Sequence, residues 1–117
     1  HNGIDIVAEE NAPVYAASDG KIDRIWDDPL MGKCVAIEHG SNVYTVYKNL
    51  ADELAAGIEE GVSVTSGQLI AAIGNTAMIE IAEEPHLHFE MTKKGRRLNP
   101  EHVLPKIGAL GHTYVPH

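Results

Sequence analysis

Two short stretches carry side chains that could hold a metal ion: His86-Leu87-His88-Phe89-Glu90 and His1-Asn2-Gly3-Ile4-Asp5. In a β-strand, positions i, i+2 and i+4 share a face. A strand through His86–Glu90 therefore shows two imidazoles to one side, and a strand through His1–Asp5 shows an imidazole and a carboxylate. Side by side, the two strands bring three histidines and a carboxylate together. Imidazole nitrogen and carboxylate oxygen bind zinc at roughly 2.0–2.2 Å, and a catalytic zinc keeps three protein ligands and one water. A lone His-x-His is most often a pair of surface or satisfied histidines. Both stretches together, in a chain of seven histidines, point to one metal ion. Mixed His/Asp ligation favours Zn²⁺ or a neighbouring transition metal.

The rest of the chain reads as short strands that position these stretches. His1–Val7, Val14–Ala17, Lys21–Trp26, Lys33–Glu38, Val43–Asn49, Leu69–Gly74, Ala77–Ile81 and His86–Met91 are predicted strands, with Gly, Asn, Asp and Pro between them. Ala51–Glu60 has helical propensity, limited to about two turns by Gly57 and Gly61. Asn99-Pro100 opens a short terminal helix or turn, and residues 105–117 read as a loosely held tail. The expected fold class is all-β. Ala12-Pro13-Val14-x-Ala16-x-x-Asp19-Gly20 is faintly echoed by Gly61-Val62-x-Val64-x-x-Gly67-Gln68.

Length and charge narrow the function. A chain of 117 residues suits one domain with one core. A formal net charge of −8 argues against nucleic acid, whose phosphates require a basic patch. Lys93-Lys94-Gly95-Arg96-Arg97 is the basic exception and reads as a solvated hairpin tip. The single cysteine, Cys34, excludes an internal disulfide and reads as a small buried hydrophobe. His39 reads as an exposed or turn-stabilising residue. No stretch is long and apolar enough to span a bilayer. A chain that opens on a proposed ligand, with no initiator Met, reads as a piece of a longer protein, whose N-terminal membrane anchor, signal or extra domains would lie upstream.

His1-x-x-x-Asp5, Val14-Tyr15-Ala16-Ala17 with Asp19-Gly20, Thr45-x-Tyr47, Gly67-Gln68-x-Ile70 with Ile73-Gly74-x-Thr76, and Pro85–Glu90 with Asn99-Pro100 follow one another in this order. The series resembles the lysostaphin/LytM-type zinc metallopeptidase domain, which cleaves peptides of bacterial peptidoglycan, and the resemblance covers residues 1–104. It implies a compact antiparallel, barrel-like sandwich built from a duplicated hybrid motif, and an extracytoplasmic location. It also implies His1, Asp5 and His88 as the ligands of one Zn²⁺, with His86 as a catalytic residue in the same cleft. Tyr47 is a candidate to line that cleft, although a strand tyrosine is more often packing, and Glu90 shares the face of His88 as a candidate second partner for its ring.

Two departures stand out. Active relatives carry Tyr-x-His-Leu where this chain has Tyr47-Lys48-Asn49-Leu50, so Asn49 stands at the position of a catalytic histidine. Alternation would turn Lys48 to the face opposite Asn49. The loop before the histidine pair is Ile79-Glu80-Ile81-Ala82-Glu83-Glu84, acidic where relatives are small and neutral. Both departures resemble the degenerate subgroup of sporulation stage II protein Q type, where the domain docks a protein partner across two apposed membranes. Two functions follow: a zinc endopeptidase directed at peptidoglycan peptides with reduced or absent activity, or a non-catalytic docking module of a cell-envelope complex. A phosphocarrier domain of related sheet topology would also use a histidine pair, but has no need of the upstream carboxylate.

Overall fold

The computed structural model describes residues 4–7, 9–74, 86–93, 96–97 and 113–116. Among the described residues ten strands run in chain order: β1 (Ile4–Val7), β2 (Pro13–Tyr15), β3 (Gly20–Asp28), β4 (Gly32–Glu38), β5 (Val43–Leu50), β6 (Ser63–Val64), β7 (Leu69–Ala72), β8 (His86–Lys93), β9 (Arg96–Arg97) and β10 (Thr113–Pro116). The main sheet has the order β10-β1-β8-β5-β4-β3-β6, with β9 paired to β8, and β2 and β7 form a second sheet. Every pairing is antiparallel. The expected all-β, antiparallel sandwich is therefore correct. Among the described strands the main sheet ends at β10 and β6, so it is not a closed barrel.

One apolar cluster fills the space between the sheets. Val14, Ile70 and Ala71 from the small sheet meet Ile6, Ile22, Val35, Ile37, Tyr47, Leu87 and Phe89 from the large one. Tyr47 and Phe89 are register partners whose rings meet edge to face, 5.4 Å between centroids. Such a pair contributes about 0.5–1.5 kcal/mol beyond its buried area.

A buried hydroxyl needs a partner, and Tyr47 has two. The Ala17 N–H donates to Tyr47 Oη at 2.9 Å, and Thr45 Oγ1 lies 3.0 Å from it. Burial pushes the phenol up to about 12, against the pull of these two bonds. Tyr47→Phe keeps the ring but removes the acceptor for Ala17. It is expected to cost about 1–3 kcal/mol in chemical denaturation, the usual consequence of orphaning a buried donor.

His39 joins the same polar path. Its Nδ1 is 2.7 Å from the Asp19 carbonyl and its Nε2 is 2.7 Å from Thr45 Oγ1. This is the turn-stabilising role expected from sequence. On either side of the basic run the chain pairs antiparallel, with Thr92 opposite Arg97 and Lys93 opposite Arg96, while the expected hairpin tip at residues 94–95 lies outside the described residues.

Two segments differ from expectation. Residues 51–60 form turns and not a helix, because Gly57 sits at φ 80° and Ala55 N–H is drawn to the Ile70 carbonyl. Thr113–Pro116, expected in a loose tail, pairs along β1 with Val115 opposite Asp5. The predicted strand Ala77–Ile81, the acidic loop up to Glu84 and the terminal turn at Asn99-Pro100 lie outside the described residues.

Candidate functional site

The register of three strands builds the site. On one side of β8, His88 is the direct partner of Asp5 in β1; on the other, it is the direct partner of Lys48 in β5. The strand alternates as its sequence requires. Leu87 and Phe89 enter the core, while His88 and Glu90 occupy the opposite face. That face is sheltered: His88 is 4% exposed and Glu90 is 7% exposed.

Polar groups in such a place need close partners. His88 Nε2 lies 3.0 Å from Glu90 Oε2, and Lys48 Nζ lies 3.0 Å from the same oxygen. Burial pushes the Glu90 carboxyl upward as the largest single influence. The bonds from His88 and Lys48 together outweigh it and hold the group below the ordinary glutamate value. A carboxylate oxygen accepts, so Nε2 is the donor in this contact, and in the neutral His88 ring Nδ1 is the nitrogen that carries the lone pair.

That arrangement fits a metal ligand. Metal-binding histidines typically give their other ring N–H to an oxygen, which sets the tautomer and raises the basicity of the ligating nitrogen. Among the described residues no group of three or more His, Cys, Asp or Glu is gathered for a metal. Of the expected ligands, His1 and the side chain of Asp5 lie outside the described residues, as does the side chain of the expected catalytic His86. The β1–β8 pairing itself places Asp5 against His88 and Val7 against His86.

Asn49 sits where β5 departs from regular geometry. Lys33 pairs with Leu50 and Val35 with Tyr47, so Cys34 alone faces both Lys48 and Asn49. This two-against-one count is a β-bulge. Asn49 carries the turn at φ 64°, a left-handed conformation that asparagine tolerates better than most residues. Its backbone is held at both ends: the Asn49 N–H donates to the Met31 carbonyl at 3.0 Å, and the Gly74 N–H donates to the Asn49 carbonyl at 2.9 Å. The Met31 turn is in turn fixed by Asp28, whose Oδ1 accepts the N–H groups of Leu30 and Met31 at 2.8 and 2.9 Å.

One expectation is corrected here. Lys48, expected on the face away from the site, reaches Glu90 on the His88 face. Alternation from the core residue Tyr47 puts Lys48 there, beside its register partner His88. The expectation had taken Asn49 as the reference for the site face, but alternation breaks at Asn49: Tyr47 and Leu50 both belong to the core, three residues apart, so the strand gains one position between them. The signal was Asn49 itself, a residue suited to positive φ inside an otherwise β-forming run.

Two other residues resolve simply. Tyr47 is fully buried on the core side of β5, in the packing role that was its alternative. Cys34 is also fully buried, and burial pushes its thiol up to about 11, opposite to what a nucleophile requires.

Comparison with known proteins agrees with this architecture. The family described as "Peptidase family M23" matches residues 1–100. The chain is 35% identical over 99 residues to the peptidoglycan DD-endopeptidase ShyA of Vibrio cholerae, covering 85% of this chain and 22% of that protein. It is 30% identical over 106 residues to stage II sporulation protein Q of Bacillus subtilis, covering 89% of this chain and 36% of that one. The crystal structure of a zinc-containing peptidase from Vibrio cholerae matches with a TM-score of 0.74 at 37% identity, over 84% of this chain and 28% of the other. The chain thus spans roughly a fifth to a third of the curated relatives it matches. With an all-β fold, an HxH strand paired to the strand of the upstream aspartate, and a family match over most of its length, the chain belongs to peptidase family M23.

Proposed function

We propose that this chain is a zinc-binding M23 domain of an extracytoplasmic protein, directed at peptidoglycan peptides, with endopeptidase turnover reduced or absent because Asn49 stands at a catalytic histidine position. The observation that carries the reading is His88: its Nε2 is turned to an ionised carboxylate, and its backbone lies directly opposite Asp5. The Zn²⁺ reading is supported by that donor chemistry and by likeness to a zinc-containing peptidase. His1, Asp5 and His88 would hold the ion. When bound, it supplies Lewis-acid polarisation of the scissile carbonyl and an acidified water. His86 is the residue of this chain that moves a proton, and Asn49 offers a hydrogen bond but no base.

Metal content tests the site. Protein purified without chelators is expected to hold one zinc per chain, and His88→Ala to hold none. Wild-type protein that has never met a chelator and contains no metal would overturn the assignment.

A second reading is favoured by Asn49 together with the likeness to stage II sporulation protein Q. Here the domain keeps its metal and docks a protein partner in the cell envelope without cutting it. Cleavage of purified peptidoglycan by the zinc-loaded wild type would remove this reading.

A further inference from the structure

We propose that Lys48 is a positioning residue for the metal ligand His88, acting through Glu90; the proposal rests on the zinc reading above. The three residues form a short relay on one face of the sheet. Lys48 is the register partner of His88, and Glu90 is the partner of Val46, so Lys48 and Glu90 are diagonal neighbours across β5 and β8. A single oxygen, Glu90 Oε2, takes the contact from Lys48 Nζ and from His88 Nε2, each at 3.0 Å.

The relay differs from an ordinary surface ion pair. Exposed pairs of long side chains contribute little, because solvent screens them and ordering them costs entropy. Here the Lys48 side chain is 19% exposed and that of Glu90 is 9% exposed. The ammonium fixes which way the carboxylate turns, and the carboxylate fixes which nitrogen of His88 is protonated. The lone pair on Nδ1 is then the one offered to a metal, with no tautomer exchange needed on binding.

The regular part of β5 makes this possible. Tyr47 turns into the core, so Lys48 turns to the face that His88 and Glu90 occupy, and the bulge opposite Cys34 then adds Asn49 as the extra residue beside it. The segment that carries Asn49 at the catalytic histidine position thus also delivers a cation to the ligand next to it.

The test combines zinc affinity, measured by competition with a chromophoric chelator, with ¹⁵N chemical shifts of the His88 ring in zinc-free protein. Removing an outer partner of a metal ligand typically costs 10–100-fold in affinity. Lys48→Met is expected to weaken zinc binding by about 10-fold, and Glu90→Gln by about 10–100-fold. Lys48→Arg, which keeps the charge, is expected to stay within about threefold of wild type, and Lys48→Met/Glu90→Gln to be no weaker than Glu90→Gln alone, because the two residues act through one contact. In the zinc-free protein the wild-type ring is expected as the Nε2–H tautomer and the Lys48→Met ring as a mixture.

Wild-type affinity and an unmixed Nε2–H tautomer in Lys48→Met would overturn the proposal. A weakened Lys48→Met with no recovery in Lys48→Arg would overturn it as well, since charge and reach would then not be the cause. If the wild type binds no zinc, the zinc reading fails separately. The ring spectra still decide the relay: a tautomer that becomes mixed in Lys48→Met supports it, and one that does not change overturns it.

Discussion

Asn49→His is expected to raise cleavage of peptidoglycan peptides by the zinc-loaded protein by about 10²–10⁴-fold, the usual contribution of a positioned acid–base group. The backbone is already suited to the change. Histidine, like asparagine, is enriched among residues at positive φ, so the 64° at this position costs the new side chain little. The bonds from Asn49 to Met31 and Gly74 use main-chain atoms and do not depend on the side chain. The chemical difference is that an imidazole can take and return a proton near neutral pH, whereas an amide cannot. Asn49→Ala serves as the control: removing the amide is not expected to raise the rate. Product analysis on purified peptidoglycan with equal zinc loading checks the result. An unchanged rate in Asn49→His, beside a wild type that already cleaves, would assign proton transfer to His86 and remove the explanation for reduced activity.

Gly74→Ala is expected to cause the largest loss of stability of any small substitution near the site, about 3 kcal/mol, the upper end of the usual cost of overpacking. A Cβ on Gly74 would stand 2.5 Å from the Leu50 carbonyl oxygen and the Ala51 nitrogen, and closer still to the Leu50 carbonyl carbon. These are main-chain atoms at the end of β5, locked by the Leu50–Ile73 bridge and by the Ala51 N–H to Ala72 carbonyl bond. They cannot rotate away as a side-chain tip can. The clash also lies beside the bond from the Gly74 N–H to the Asn49 carbonyl, so the bulge that carries Asn49 and Lys48 should shift with it. Gly57→Ala is the informative contrast. A Cβ there meets nothing within 4 Å, and only the left-handed backbone at φ 80° opposes it. That cost is about 1–2 kcal/mol. Thermal and urea unfolding of the two variants separates the mechanisms. A Gly74→Ala protein no less stable than Gly57→Ala would show that the end of β5 yields more easily than its hydrogen bonds imply.

The strand-rich fold class and the alternation of β8 were legible in the residues alone, because each follows from local rules; the candidate ligands came from a family resemblance. Period-two patterning puts His88 and Glu90 on one face and Leu87 and Phe89 in the core whatever the neighbours are. Turn residues at Asp19-Gly20 and His39-Gly40 divide the chain into short strands without reference to the rest of the fold. Tertiary structure decided what depends on residues far apart in sequence. The pairing of β1 with β8 set Asp5 against His88, and residues 113–116 became an edge strand because β1 had a side to offer. The bulge in β5 arose from fitting Tyr47 and Leu50 into the same core while Asn49 bonded to Met31 and Gly74. That one inserted position broke the alternation after Lys48, so the place of Asn49 could not tell which face Lys48 takes. Alternation is a property of the isolated strand, whereas a bulge is a compromise with the strand beside it, and only the folded chain contains both.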